Sequence, residues 1–175
     1  MRETTRLTVG PNEGREVFIP GGGVVFKISG EDTDGLVAIV EHPIAPGALA
    51  PPHVHTNEDE YSYILEGQVG VRVGEQEFTV GPGTYVLKPR GIPHTFWNAG
   101  PAPARLMEII CPAGLERYFA EMVTLIPAEG PPDFEKLAAL QERYQNPRVH
   151  PEWVAELAAK YDLKVAGGRS REQDR

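Results

Sequence analysis

Two spaced glycine-and-histidine motifs constrain this chain more than any other feature. The first runs from Gly47 to Gly67: five residues, His53-x-His55, four residues, Glu60, six residues, Gly67. The second runs from Gly83 to Asn98: five residues, Pro89-x-Gly91, two residues, His94, three residues, Asn98. Fifteen residues separate them. In an extended chain, residues two apart point to one face, so His53 and His55 project together with their Cα atoms roughly 6.5 Å apart. Two imidazoles at that spacing can close on one ion through metal–nitrogen bonds of about 2.1 Å. Glu60 follows the polar turn Thr56–Asp59 and can return to the ion from the start of the next strand. His94 follows Pro89, Gly91 and Pro93, which break a strand and predict a sharp turn before a new one. Three neutral imidazoles and one carboxylate would leave a divalent ion with net positive charge and room for water or substrate oxygens. Glu58 and Asp59 are the carboxylates that could stand in for Glu60. The other two histidines, His42 before a proline at a strand end and His150 before a proline-started helix, read as structural.

Composition narrows the partners. A formal charge of −8 argues against a nucleic-acid backbone or an anionic membrane surface. The N-terminus has no apolar signal core and no stretch approaches a membrane span, which makes the cytoplasm the expected compartment. Cys111 is the only cysteine, which excludes an internal disulfide; on an apolar strand it is expected to be a small buried hydrophobe.

Short β signals dominate to about residue 111. Strands are expected over 15–19, 23–29, 36–44, 61–65, 69–73, 76–80, 84–88, 95–98 and 105–111, with Gly74–Glu75 a two-residue hairpin turn. Such strands with regular turns imply a sandwich or barrel. Beyond Pro112 the period changes. Ala113–Val123 carries Leu115, Phe119, Met122 and Val123 at helical spacing. Asp133 is placed to cap a helix running to about Tyr144, and Pro151 to start another ending near Tyr161. The polar tail after Ala166 is expected to be disordered.

The two motifs, with their short separation, resemble those of the cupin superfamily position by position. That resemblance implies an all-β fold: a jelly-roll-like, double-stranded β-barrel with short C-terminal helices. The expected organisation is an N-terminal arm over 1–14, a barrel with its capping helix over 15–127, a helical extension over 128–166 and a tail over 167–175. It also implies that His53, His55, Glu60 and His94 hold one divalent transition metal (Mn, Fe, Co, Ni, Cu or Zn). Four protein ligands exceed the three usual for catalytic zinc, which favours an octahedral ion.

Within that superfamily, PPHVHTNEDEYSYILEG, GIPHTFWN and GLERYFAEM look like single-domain quercetin dioxygenase-type proteins. The activity so implied is metal-dependent dioxygenation of a small aromatic or enolic substrate, with dioxygen as co-substrate and Glu60 doubling as the base. The alternatives are a non-redox metal enzyme (isomerase, decarboxylase or lyase) and a non-catalytic small-molecule-binding cupin. Strand alternation from Glu60 and His94 points Ser62, Ile64, Phe96 and Asn98 toward a substrate pocket, and Tyr61, Tyr63, Thr95 and Trp97 away from it. Val69, Val71 and Val73 share the inward face of their strand, so the pocket is expected to suit a largely apolar ligand. Arg72 and Lys88 are expected to be surface charges. A homodimer is expected, with the strand Arg15–Ile19 pairing across a two-fold axis.

Overall fold

Alternation of apolar and polar side chains builds two facing sheets. The computed structural model describes residues 7–127, 132–149 and 151–166. His150, the N-terminal end of the arm, the start of the helical extension and the polar tail lie outside the described residues. The strands are β1 (Arg15–Ile19), β2 (Gly22–Ile28), β3 (Ala38–Ile44), β4 (Ala48–Leu49), β5 (Asp59–Glu66), β6 (Val69–Val73), β7 (Gln76–Val80), β8 (Tyr85–Lys88), β9 (His94–Trp97), β10 (Ala104–Cys111) and β11 (Lys164–Val165). The helices are α1 (Leu115–Met122), α2 (Phe134–Arg143) and α3 (Trp153–Tyr161). One sheet has the order β1-β2-β3-β10-β5-β8 and the other β11-β4-β9-β6-β7. This is the expected double-stranded jelly-roll barrel.

Three apolar clusters hold the layers together. Ile44, Ile64, Val69, Val71, Val86 and Leu106 fill the space between the sheets. Val24, Ala38, Val40 and Ile110 join the larger sheet to α1 and α2 through Leu115, Tyr118, Met122, Leu137 and Leu140. Leu49 and Trp97 join the smaller sheet to Leu157 of α3 and to Leu163. The apolar stripe expected along Ala113–Val123 therefore faces the barrel, and α2 and α3 pack on it through Leu137, Leu140 and Leu157. Asp133 caps α2 as expected, its side chain accepting a hydrogen bond from the Lys136 amide at 3.1 Å. Among the described residues, no helix is long and apolar enough to cross a membrane.

Three details depart from expectation. β4 and β11 had no sequence signal, because each is two residues long and they pair in parallel across more than a hundred residues. Cys111 is only half-buried, since it ends β10 on the face opposite Ala104, Leu106, Glu108 and Ile110. The chain after α2 also does more than cap the barrel: β11 extends the smaller sheet, and residues 145–149 run beside the first histidine segment.

Gly70 is required by close approach rather than by backbone angle. It pairs with Trp97 across β6 and β9, and a Cβ at Gly70 would sit 2.0 Å from the indole. The indole is 1% exposed, packed against α3, so it must shift to admit a methyl group. Gly70→Ala is expected to destabilise the fold by about 1–3 kcal/mol or more through overpacking, read as a fall in the denaturant midpoint; an unchanged midpoint would contradict the packing described.

Candidate metal centre

The two motifs meet at the mouth of the barrel. His53 and His55 lie in an extended, proline-led segment before β5; Glu60 is the second residue of β5 and His94 the first of β9. Reciprocal backbone hydrogen bonds between His53 and His94, at 3.1 and 3.0 Å, lock the two motifs together. The three imidazole rings lie 4.6 to 5.1 Å apart, centroid to centroid. Their ring nitrogens and the Glu60 carboxylate offer four donor atoms, all within 4.8 Å of one another. Bonds of about 2.1 Å to one ion require neighbouring ligand atoms about 3 to 4.2 Å apart. Glu60 Oε2 lies 3.4 Å from His55 Nε2 and 3.3 Å from His94 Nε2, inside that range.

Tautomers support the same assembly. His53 Nδ1 lies 2.8 Å from the Pro51 carbonyl and His94 Nδ1 lies 3.0 Å from the Ile92 carbonyl. A carbonyl only accepts, so each Nδ1 carries the proton and each Nε2 keeps its lone pair, the usual arrangement behind a metal-binding histidine. His94 Nε2 and both nitrogens of His55 are buried without a hydrogen-bond partner. Buried polar atoms left in this way are destabilising unless something fills the gap between them. Burial holds the His53 and His94 imidazoles below their ordinary range, which keeps them neutral. A divalent transition-metal ion fits this set.

Glu58 and Asp59 are differently placed. Glu58 is buried, and burial raises its carboxyl. Asp59 forms a two-pronged pair with Arg90, whose hydrogen bonds hold it down at about 2.

Lys88 corrects the expectation of a surface charge: it is 1% exposed and projects inward from β8 beside Val86. It is the register partner of Glu60 across β5 and β8. Its ammonium donates to Glu60 at 2.9 Å and to Glu108 of β10 at 2.6 Å. Glu108 also accepts the Ser62 hydroxyl, whose single proton is shared between the two carboxylate oxygens at 3.0 and 3.1 Å. Burial pushes the Glu60 carboxyl up, but Lys88 and the imidazoles outweigh it and hold Glu60 well below the usual carboxylate range. Glu108 has one cation to share and no imidazole contact, so burial wins and lifts it to about 7.

A cavity opens from this cluster toward α1. His53, Glu60 and Glu108 lie at its polar end; Phe96, Tyr118, Phe119 and Met122 are among its apolar walls. Of the four expected pocket residues, only Phe96 lines it. Ser62 is committed to Glu108, and Ile64 is fully buried between the sheets. Asn98 fastens the following turn: its amide donates to the Ile44 and Ala102 carbonyls, and its carbonyl accepts from the Gly100 amide. Tyr61 and Tyr63 point outward as expected. His42, read from sequence as structural, lines the cavity between Phe96 and Phe119. Its Nδ1 donates to the Gly23 carbonyl at 3.0 Å, and burial lowers its pKa to about 4. Alternation along β3, with Ala38, Val40 and Ile44 inward, was the signal that could have placed it. Alternation with Leu106 and Ile110 would likewise have found Glu108.

Residues 41–110 match the family described as the cupin domain. The two-sheet barrel has the cupin fold, and the match lies within it. The chain is similar to the tetracenomycin polyketide synthase protein TcmJ of Streptomyces glaucescens, 34% identical over 80 residues covering 46% of this chain and 52% of that protein. It is also similar to germin-like protein subfamily 2 member 2 of Arabidopsis thaliana, 35% identical over 91 residues covering 49% of this chain and 41% of that protein. The cupin match thus spans about half the length of these curated relatives, or less. Among solved structures, it resembles the polyketide cyclase RemF of Streptomyces resistomycificus, with a TM-score of 0.53 and 25% identity, covering 61% of this chain and 79% of that one.

His53→Ala and His94→Ala are each expected to lose bound metal while the barrel stays folded, because the apolar clusters that hold it are separate from the four donor atoms. Elemental analysis of purified protein alongside circular dichroism tests this; both variants retaining wild-type metal would contradict the ligand set.

Proposed function

We propose that this cupin domain is a metal-dependent enzyme that enolises a small, largely apolar substrate with a ring or other flat body, holding one divalent transition metal through His53, His55, Glu60 and His94. The observation that carries this reading is Glu108, a cavity-lining carboxyl lifted to about 7 beside the ligand cluster. When bound, such an ion supplies Lewis acidity that favours the enolate over the keto form. The chain's own groups do the rest. Phe96, Tyr118, Phe119 and Met122 bind the apolar body and exclude water. Glu108 accepts the substrate proton, since a base titrating near neutrality is the efficient one. Lys88 keeps Glu60 ionised and stands between the two carboxylates. Neutral His42 offers Nε2 to a substrate hydroxyl. Glu60 serves as a ligand, and the proton-accepting role that the sequence suggested for it passes to Glu108.

This reading belongs to the non-redox class, and the likeness to a polyketide cyclase supports cyclisation or a related carbon–carbon step. The dioxygenase reading rests on the same ligand set, His53, His55, Glu60 and His94, which would hold an ion able to activate dioxygen toward an enol. Oxygen uptake separates the two. Turnover of enolisable aromatic ketones without oxygen consumption is the expected result; stoichiometric uptake with flavonols under Mn, Fe, Co, Ni or Cu would favour the dioxygenase. Binding without turnover of any compound would leave a small-molecule-binding cupin.

Glu108→Gln keeps the side-chain size and removes the basic group. It is expected to lower kcat by about 10²–10⁴-fold with metal content unchanged. The active form of Glu108 is the carboxylate, so wild-type rate should rise as pH increases through about 7, and the variant should lose that limb. A pH–rate profile identical in both proteins would reject the assignment.

The homodimer is proposed on β1. Among the described residues it is an edge strand, paired on one side only with β2, and its outer backbone groups are open to a second copy across a two-fold axis. Light scattering at tens of micromolar is expected to give twice the chain mass; a monomer would reject this.

A further inference from the structure

Residues 145–149 form a strap along the first histidine segment. The Val54 and Thr56 amides donate to the Pro147 and Gln145 carbonyls at 3.3 Å each, and the Val149 amide donates to the Pro52 carbonyl at 3.0 Å. The Thr56 hydroxyl adds a fourth bond to the Gln145 carbonyl at 2.6 Å. His53 and Arg148 are directly opposed in an antiparallel bridge. Residues opposed in this way project to the same face, and so does the residue two positions along. Arg148 and Asn146 therefore stand on the cavity side with His53, and both line the cavity. Gln145 and Pro147 alternate to the outside and are exposed.

Neither inward residue has a protein partner for its side chain among the described residues. Asn146 is 4% exposed, and its Oδ1 is buried without a hydrogen bond. Arg148 is the only cation lining the cavity among the described residues, and no carboxylate neutralises it. Lys88, by contrast, is held by two carboxylates behind the cavity wall. The Arg148 guanidinium without an acid and the Asn146 amide nitrogen without an acceptor are the donors a carboxylate takes up, while the buried Asn146 Oδ1 is an acceptor that calls for a hydroxyl or other donor beside that carboxylate. Polar groups left in this state at the edge of an apolar cavity are satisfied by a ligand that brings the complementary atoms.

We propose that Arg148 and Asn146 form an anion-recognition subsite on the rim of the metal cavity, and that the substrate carries a carboxylate on its apolar body. This deepens the reading above and rests on the cavity being the substrate site. The apolar walls take the ring, the metal end takes the enolisable oxygen, and Arg148, paired beside His53 at that same end, takes the carboxylate, fixing which way the substrate lies. The strap thus makes the C-terminal extension part of the specificity of a site whose metal ligands all come from the barrel.

Calorimetric titration with 2-naphthoate and its uncharged analogue 2-naphthamide tests this, on full-length protein both metal-loaded and metal-stripped. Wild type is expected to prefer the acid over the amide in both forms. Arg148→Gln should weaken acid binding by about ten- to a hundredfold, leave amide binding and metal content unchanged, and preserve the melting temperature; Arg148→Lys should restore part of the preference. Asn146→Asp, which places a negative charge at the subsite, should abolish acid binding. The proposal is overturned if acid and amide bind wild type equally, if neither binds at millimolar concentration, or if Arg148→Gln keeps the preference. A preference that disappears only on removing metal would assign the carboxylate to the ion, and would overturn it too. Failure of the protein to hold metal at all would sink the enzymatic reading, yet the acid–amide comparison in the stripped protein would still decide the subsite.

Discussion

The buried ammonium of Lys88 is the interaction on which the rest of the site depends. Removing an ammonium and a carboxylate from water carries a penalty of several kcal/mol per ion, and only close, well-directed partners offset it. Lys88 Nζ meets that requirement with Glu60 at 2.9 Å and Glu108 at 2.6 Å. Three strands, β5, β8 and β10, must hold register for those two distances to exist together. A slip of one residue in any of them would turn a charge into the apolar core or out to solvent. The same ion pairs therefore fix the barrel's register and set the electrostatics of its polar end.

From this constraint the two carboxyls acquire different characters. Glu60 faces the ammonium and two imidazoles and stays ionised, ready to act as a ligand. Glu108 shares the ammonium, takes the Ser62 hydroxyl and remains near its midpoint at neutral pH. Two carboxyls of like chemistry held apart in this way can divide ligand and proton-transfer roles within one small cavity. His42 adds a third polar group, kept neutral by burial and oriented by the Gly23 carbonyl.

Much of this was legible in the sequence because it is local. The spacing from Gly47 to Gly67 and from Gly83 to Asn98 located the four donor residues, and nine of the strands followed from short apolar runs between turn residues. Period-two alternation also placed Phe96 in the cavity and Tyr61 outside it. What escaped was non-local or went against residue type. Lys88 and Glu108 lie on inward faces that alternation marks clearly, but charged side chains are seldom buried, and only their mutual pairing reverses that expectation. Asn98 and Ser62 point inward as counted, yet their polar atoms are used by neighbours that only the folded chain brings near. Arg148 and Asn146 carry no local sign of their role, since the strap is defined by hydrogen bonds to residues some ninety positions earlier.

That long-range pairing bears on why the site keeps its shape. His53 and His55 lie outside any strand, and Pro51 and Pro52 before them have no amide to donate. A segment of this kind is held in place only by what packs beside it. On one side His94 supplies two backbone hydrogen bonds; on the other the strap accepts from the Val54 and Thr56 amides and donates, through the Val149 amide, to the Pro52 carbonyl. β9, which carries His94, is in turn pressed between Gly70 and α3, where Trp97 meets Tyr161 at 5.5 Å. The histidine cluster is thus preorganised from both flanks by the C-terminal chain, through α3 on the β9 side and through residues 145–149 on the His53 side. A metal site built on a loop needs such support to hold its ligands within the few tenths of an ångström that coordination demands. Here the support and the substrate-facing cation come from the same five residues, which ties the position of Arg148 to the position of His53.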